Sequence, residues 1–202
     1  MISTIIWNIR GVESKGAFDR LIKLVNFYKV SFVALLEPFV HSSNLEQYKR
    51  KLGFQHTIAN CNGKIWCFWD ADYTCTVISN YKQQLTLSVQ HAMVQDTYWV
   101  TIVYAKTKAR RKKKLWQKLE QIKDIIQGPW SMFGDFNSIM QAIEKKGGRP
   151  HRIRKSKDFI NYMDDYCMID AGYIGNDFTW SNNRKRRKRI SERLDRVLYN
   201  DE

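Results

Sequence analysis

The sequence predicts an α/β protein, two sheets back to back with helices outside, because two hydrophobic periodicities alternate along it. The first belongs to short β-branched or aromatic runs, "STIIWN" (3–8), "VSFVALLE" (30–37), "TYWVTIVY" (97–104) and "WSMFGD" (130–135), which read as strands. The second is helical: Phe18, Leu21, Ile22, Val25 and Tyr28 share one spacing, and Leu115, Leu119, Ile122 and Ile126 repeat it. Gly128-Pro129 is expected to stop that second helix. With 202 residues, 44% of them hydrophobic, the chain can bury one sizeable core, and no Pro/Gly/Ser-rich linker or repeat divides it. A single domain over 1–202 is the expectation.

The remaining elements follow from the same patterns. Residues 54–94 look like a β-meander in which Trp66, Phe68, Val77, Leu85, Leu87 and Val89 alternate with polar residues. A third helix is expected at about 156–167, then strands at "DFTWSN" (177–182) and "ISERLDRVLY" (190–199), joined by a basic turn. Gly147 and Gly148 read as a flexible loop, since no helix start follows them to make a phosphate cradle.

Composition excludes several classes. No apolar run approaches the roughly 18 residues of a membrane span, and "MISTIIWNIRG" lacks the charged lead-in of a signal peptide. Cys61, Cys67, Cys75 and Cys167 form no C-x-x-C pair and read as reduced thiols of an intracellular protein, not a zinc site or disulfide frame. Lys and Arg number 34 against 20 acids, a formal +14. The excess concentrates in "KTKARRKKK" (106–114), "RPHRIRKSK" (149–157) and "RKRRKR" (184–189). One such run is usually a solvated face or a nuclear-import signal. Three in one domain favour a polyanion partner.

Candidate site residues stand at strand ends. Asn8 closes the first strand, Glu37 the second, Tyr104 the third, and Asp135 with Asn137 the fourth. In "GDFN" the bland reading is a turn, because Gly, Asp and Asn all favour one. If the four ends gather at one rim, however, they assemble a divalent-metal phosphate site. A hard cation such as Mg²⁺ wants carboxylate oxygen and keeps several waters. A second carboxylate can draw a proton from water, and neutral amide and phenol donors can hold phosphate oxygens.

"WNIRG", "ALLEP", "VY", "GDFN" and "RLDR", in that order, resemble the endonuclease/exonuclease/phosphatase superfamily. Within it, "LWQKLEQI", "EKKGG" and "FTWSN" are most similar to the apurinic-type endonuclease domain of plant non-LTR (LINE-type) retrotransposons. The resemblance runs from residue 3 to about 200 and implies a DNase I-like fold, a two-sheet β-sandwich in four α/β/β/α layers. It also implies Mg²⁺, with Mn²⁺ as the alternative, held by Glu37 with Asn8 beside it. Asp135 would orient or deprotonate the attacking water, Asn137 would hold the scissile phosphate, and Tyr104 would donate to a phosphate oxygen. Asp195 would orient a histidine. The run Arg184, Lys185, Arg186, Arg187, Lys188 and Arg189 would touch DNA beside the cut. A nuclear location and a reverse transcriptase in the same parent polyprotein are implied with it.

Two departures qualify the match. After Tyr104 the chain has Ala-Lys-Thr where the family commonly has a Pro-Asn pair. The family pattern also continues past "RLDRVL" to a Ser-Asp-His motif and a last strand, whereas this sequence reaches Glu202, and His41, His56, His91 and His151 all lie upstream. The expectation is therefore a domain lacking that last strand, either a piece of a longer polyprotein or a degenerate copy, that nicks slowly or not at all. The alternatives are a catalytically inactive nucleic-acid-binding remnant and, less favoured by the charge, a small-molecule phosphatase.

Overall fold

The computed structural model describes residues 2–94 and 96–201, with the backbone alone at Arg186. By its contacts the chain divides into two compact units, 1–104 and 105–202.

The first unit opens with β1 (Thr4–Asn8), α1 (Lys15–Tyr28) and β2 (Phe32–Leu36), followed by α2 (Leu45–Leu52), β3 (His56–Ala59) and β4 (Ile65–Trp69). Strands β1 and β2 run parallel, and β4 and β3 extend the sheet in the order β1-β2-β4-β3. All five residues of β2 and of β4 are buried, which is why these segments read as near-continuous apolar runs. Helix α1 buries Phe18, Leu21 and Val25, and the Phe18 ring meets Tyr48 of α2 edge-on at 5.2 Å. The unit continues with the antiparallel strands β5 (Tyr73–Tyr81), β6 (Gln84–His91) and β7 (Thr97–Tyr104).

The segment 54–94 is thus two hairpins in two sheets, not one meander, and Val77 is exposed. Helix α2 carries three apolar positions, Leu45, Tyr48 and Leu52, at helical i, i+3, i+7 spacing, a signal the sequence reading missed. Gly53, in the left-handed region at φ 82°, ends it and was the second signal.

The second unit contains α3 (Ala109–Glu120), β8 (Trp130–Asp135), β9 (Lys145–Lys146), α4 (Lys157–Asp165), β10 (Ile169–Asp170), β11 (Trp180–Ser181), β12 (Ser191–Glu192) and β13 (Asp195–Tyr199). Helix α3 ends before Gly128-Pro129: the Ile125 and Ile126 N–H groups bond three residues back, tightening the chain into a 3-10 turn over Lys123–Ile125. The expected strand 190–199 is broken at Arg193 and Leu194 because it changes partners. Strand β12 pairs with β11 and β9, whereas β13 pairs with β8 and β10. Thr179 Oγ1 accepts the N–H groups of Leu194 (3.0 Å) and Asp195 (3.1 Å) at the break.

Two arginines near that break form a buried ion-pair ring. Arg193 bonds Asp170 at 2.6 Å and meets Glu144 at 3.4 Å, while Arg196, its side chain fully buried, bonds Asp170 at 2.6 Å and Glu144. These arginines, which flank Asp195 in sequence, are therefore committed to Glu144 and Asp170. Burial alone would raise both carboxyls. At Glu144, Arg196 and the Met140 and Gln141 N–H groups outweigh it, and at Asp170 Arg193, the Gly172 N–H and Arg196 do, so both sit below their ordinary values. A carboxyl lowered by folding adds stability above its unfolded value and loses it as pH falls through the lowered one. Glu144→Gln should cost about 3–5 kcal/mol near neutrality by leaving buried guanidinium charge uncompensated. The gap to wild type should narrow as pH drops below the ordinary Glu value of 4.5. Urea unfolding of both proteins across pH checks this, and a gap independent of pH would refute it.

Candidate active site

Each unit gathers one set of the expected residues. In the first, the parallel register pairs Asn8 with Leu36, the residue before Glu37. Glu37 takes a left-handed backbone (φ 54°), as do Phe39 (φ 55°) and Arg10 (φ 50°), a concentration of strain typical of functional loops. Backbone bonds lock this loop: Gly11 N–H donates to Glu37 O at 2.8 Å, Val12 N–H to Pro38 O at 3.0 Å, and Glu37 N–H to Lys64 O at 3.0 Å. The Tyr104 hydroxyl donates to Glu37 Oε1, and Arg10 Nε lies 3.9 Å from Oε2. A phenol has one proton to donate. Tyr104 can therefore serve a phosphate oxygen only by exchanging its present partner.

This donor set fits Mg²⁺. Glu37 and Asn8 offer a carboxylate and an amide oxygen, both hard ligands, with no thiol or imidazole among them. No group of three or more His, Cys, Asp or Glu that could hold a metal occurs among the described residues. A cation here would keep most of its waters, as Mg²⁺ does and a structural zinc does not.

In the second unit, β8 ends at Asp135, and its register with β13 puts Asp195 directly across. Asp135 Oδ1 accepts the Asn137 N–H at 2.9 Å, so the acid itself closes the turn that presents the amide. Asn137 is left-handed (φ 47°), and its side-chain amide donates to Ala105 O at 2.8 Å. Between them Phe136 points inward, fully buried, and its N–H donates to Leu194 O at 2.9 Å. Its ring stacks on Phe159 of α4 at 5.3 Å and on Trp116 of α3 at 6.4 Å. "GDFN" is a turn whose middle residue anchors it and whose polar neighbours are presented.

Sequence reasoning missed one member of this set. Lys112 lies in the basic run 106–114 but is buried, and its Nζ donates to Asn137 O at 2.6 Å and to Ser138 Oγ. Its position was the signal: with Leu115, Trp116 and Leu119 it falls on the buried stripe of α3.

The basic turn lies between β11 and β12. Asn182 organises it, accepting the Arg184 N–H at 3.2 Å and the Ile190 N–H at 3.0 Å and donating to Lys188 O at 3.0 Å. Arg184, Lys185, Arg187, Lys188 and Arg189 are exposed. Gly147 is not loose. It is left-handed (φ 82°), and a Cβ there would lie 2.3 Å from Arg189 O, so the "GG" pair is a close approach to this turn. The second unit holds 24 of the 34 Lys and Arg against 13 of the 20 acids, hence +11 of the +14.

The histidines are tied elsewhere. His41 caps a 3-10 turn through Ser43, His56 stacks on Trp69, His91 meets Tyr73 edge-on, and His151 lies 3.2 Å from Ser156 Oγ. All four cysteines are free thiols. Among the described residues no helix is long and apolar enough to cross a membrane.

No family model and no curated protein matches the chain. Solved structures do. It is similar to the endonuclease domain of TRAS1, a telomere-specific non-LTR retrotransposon, with TM-score 0.73 and 13% identity over 100% of this chain and 86% of that one. This chain has the endonuclease/exonuclease/phosphatase fold. The same fold is shared with D. rerio TDP2 complexed with a single-strand DNA product, at TM-score 0.66 and 12% identity over 98% of this chain and 83% of that one. A Bacteroides thetaiotaomicron mannosyl-6-phosphatase matches at TM-score 0.65 and 12% identity over 100% and 86%. The DNase I-like α/β expectation is met.

In this fold the strand end that carries Asp135 and Asn137 depends on the Phe136 anchor. Phe136→Ala should cost about 3–5 kcal/mol through the lost stack and the cavity left behind. Equilibrium denaturation measures it, and a loss below about 1 kcal/mol would mean the ring is not the anchor.

Proposed function

We propose that this chain is a Mg²⁺-dependent DNA endonuclease of the retrotransposon type, hydrolysing a phosphodiester bond so that a strand is nicked. The observation that carries this reading is the β8–β13 register, in which Asp195 faces Asp135 while Asn137 rises from the same turn. Asp135 accepts the proton of the attacking water, or orients it, and Asn137 donates to the scissile phosphate. Asp195 would orient the histidine of the Ser-Asp-His motif, a part that His41, His56, His91 and His151 do not supply. Glu37 and Asn8 hold the cation, which when bound neutralises charge building on the phosphate. Tyr104 donates to a phosphate oxygen once it leaves Glu37.

DNA is favoured over a small phosphate by charge. A net +11 on one unit suits a phosphate backbone and far exceeds what a single anion needs. A nuclear location and action alongside a reverse transcriptase of the same polyprotein belong to this reading.

Asp135→Asn and Glu37→Gln should each slow Mg²⁺-dependent nicking of supercoiled plasmid by about 10²-fold or more while leaving the fold intact, because they remove charge and not core volume. The measurement compares each variant with its parent, extended if need be through its natural downstream sequence. Parental rates in both variants would end the assignment.

The turn 184–189 supplies the second test. Not all six cations can face one duplex, so about three or four phosphate contacts are expected, each contributing about one unit to the salt slope. Replacing Arg186, Arg187 and Lys188 with Ser should make the dependence of duplex affinity on salt clearly shallower. An unchanged slope and affinity would leave this run as a targeting signal only.

A further inference from the structure

We propose that Lys112 is a positioning residue for the Asp135–Asn137 turn, its buried ammonium fixing the backbone that aims the acid and the amide at the phosphodiester. This rests on the endonuclease reading. Lys112 stands apart from the rest of its basic run: Arg110, Arg111, Lys113 and Lys114 lie on the same helix, yet Lys112 alone among the five is buried, at 6% exposure. It cannot reach a duplex as a surface cation would. A buried ammonium is costly unless its protons are accepted. Here the acceptors are Asn137 O at 2.6 Å and Ser138 Oγ, both in the turn.

The turn needs such a tether. Asn137 adopts the left-handed backbone, which Asn tolerates better than other non-glycine residues but which local bonds must still hold. Three bonds hold it there: its N–H to Asp135 Oδ1 at 2.9 Å, its side-chain amide to Ala105 O at 2.8 Å, and its carbonyl to Lys112. The first two occupy groups that act on substrate, whereas the Lys112 bond occupies the backbone only. It can therefore persist while Asp135 and Asn137 work.

The charged groups facing Lys112 come from three elements: Asp135 on β8, Asp158 on α4 and Glu192 on β12. Burial lowers the ammonium to about 8 although these three acids pull it upward. The tether thus weakens in mild alkali.

Two experiments separate this proposal from the reading beneath it. In the unmodified chain, ¹H–¹⁵N spectra across a pH series should show the Asn137 and Ser138 amides shifting with the midpoint of the Lys112 Cε signal. Amides that ignore that titration would overturn the proposal, whether or not the protein nicks DNA. In the second experiment, Lys112→Met should lower kcat by about 10²-fold and flatten the alkaline limb of the pH profile. Duplex affinity measured with Ca²⁺ should hold, and Lys112→Arg should recover part of kcat. A folded Met variant with parental kcat, or one losing affinity as steeply as kcat, would also overturn it. If the Met variant does not fold, the titration decides. If the parent nicks nothing even when extended through its natural downstream sequence, the endonuclease reading fails and the titration still judges Lys112.

Discussion

One buried ring sets the geometry of the second unit's candidate site residues. Phe136 sits between Asp135 and Asn137 with its side chain fully buried, while Asp135 Oδ1 closes the turn and Asn137 takes a left-handed backbone. The stack with Phe159 and Trp116 brings two helices and the end of β8 to one point. Each of these rings contributes about 1.5–3 kcal/mol by burial. The turn is therefore held by core packing on its inner side and by hydrogen bonds to Asp135, Ala105 and Lys112 on its polar side. Asp135 and Asn137 thus lend side-chain atoms to the turn, and Phe136 and Lys112 hold it without drawing on either.

Positive charge serves two ends here. The exposed cations Arg184, Lys185, Arg187, Lys188 and Arg189 belong to an Asn182-organised turn and have no acid beside them in sequence. Arg193, Arg196 and Lys112 are buried, and their donors go to Glu144, Asp170 and the Asn137–Ser138 backbone and hydroxyl. Net charge alone cannot distinguish these groups. Burial can, because a cation that has lost its water must find acceptors inside the protein.

That distinction also marks how far the sequence was legible. Strands β7 and β8 matched their expected bounds, since β7 is a run of β-branched and aromatic residues and β8 an apolar, aromatic one closed by Gly-Asp. The strand 190–199 could not be divided in advance, because its break comes from a change of partners and Thr179 lies eleven residues before it. Helix α2 shows its period in only three residues, Leu45, Tyr48 and Leu52, and α3 ended early through a 3-10 turn that involves neither Gly nor Pro. The polar strand ends were legible as a set of chemical groups. Their partners were not: the Tyr104–Glu37 bond joins residues 67 positions apart, and the Lys112–Asn137 bond spans 25.

The Tyr104–Glu37 bond bears on how the first unit's set would work. A carboxylate that accepts a phenol proton and faces a guanidinium at 3.9 Å has its charge partly answered already. Its oxygens are then neither free to collapse onto a neighbour nor wholly consumed, since a carboxylate accepts at about four lone-pair sites. The strained backbone at Glu37 and Phe39 is over-determined by the bonds to Gly11, Val12 and Lys64, so the carboxylate is aimed before anything binds. Preorganisation of this kind shifts the cost of ordering from the moment of reaction to the moment of folding. The buried β2 and β4 supply the stability that carries it.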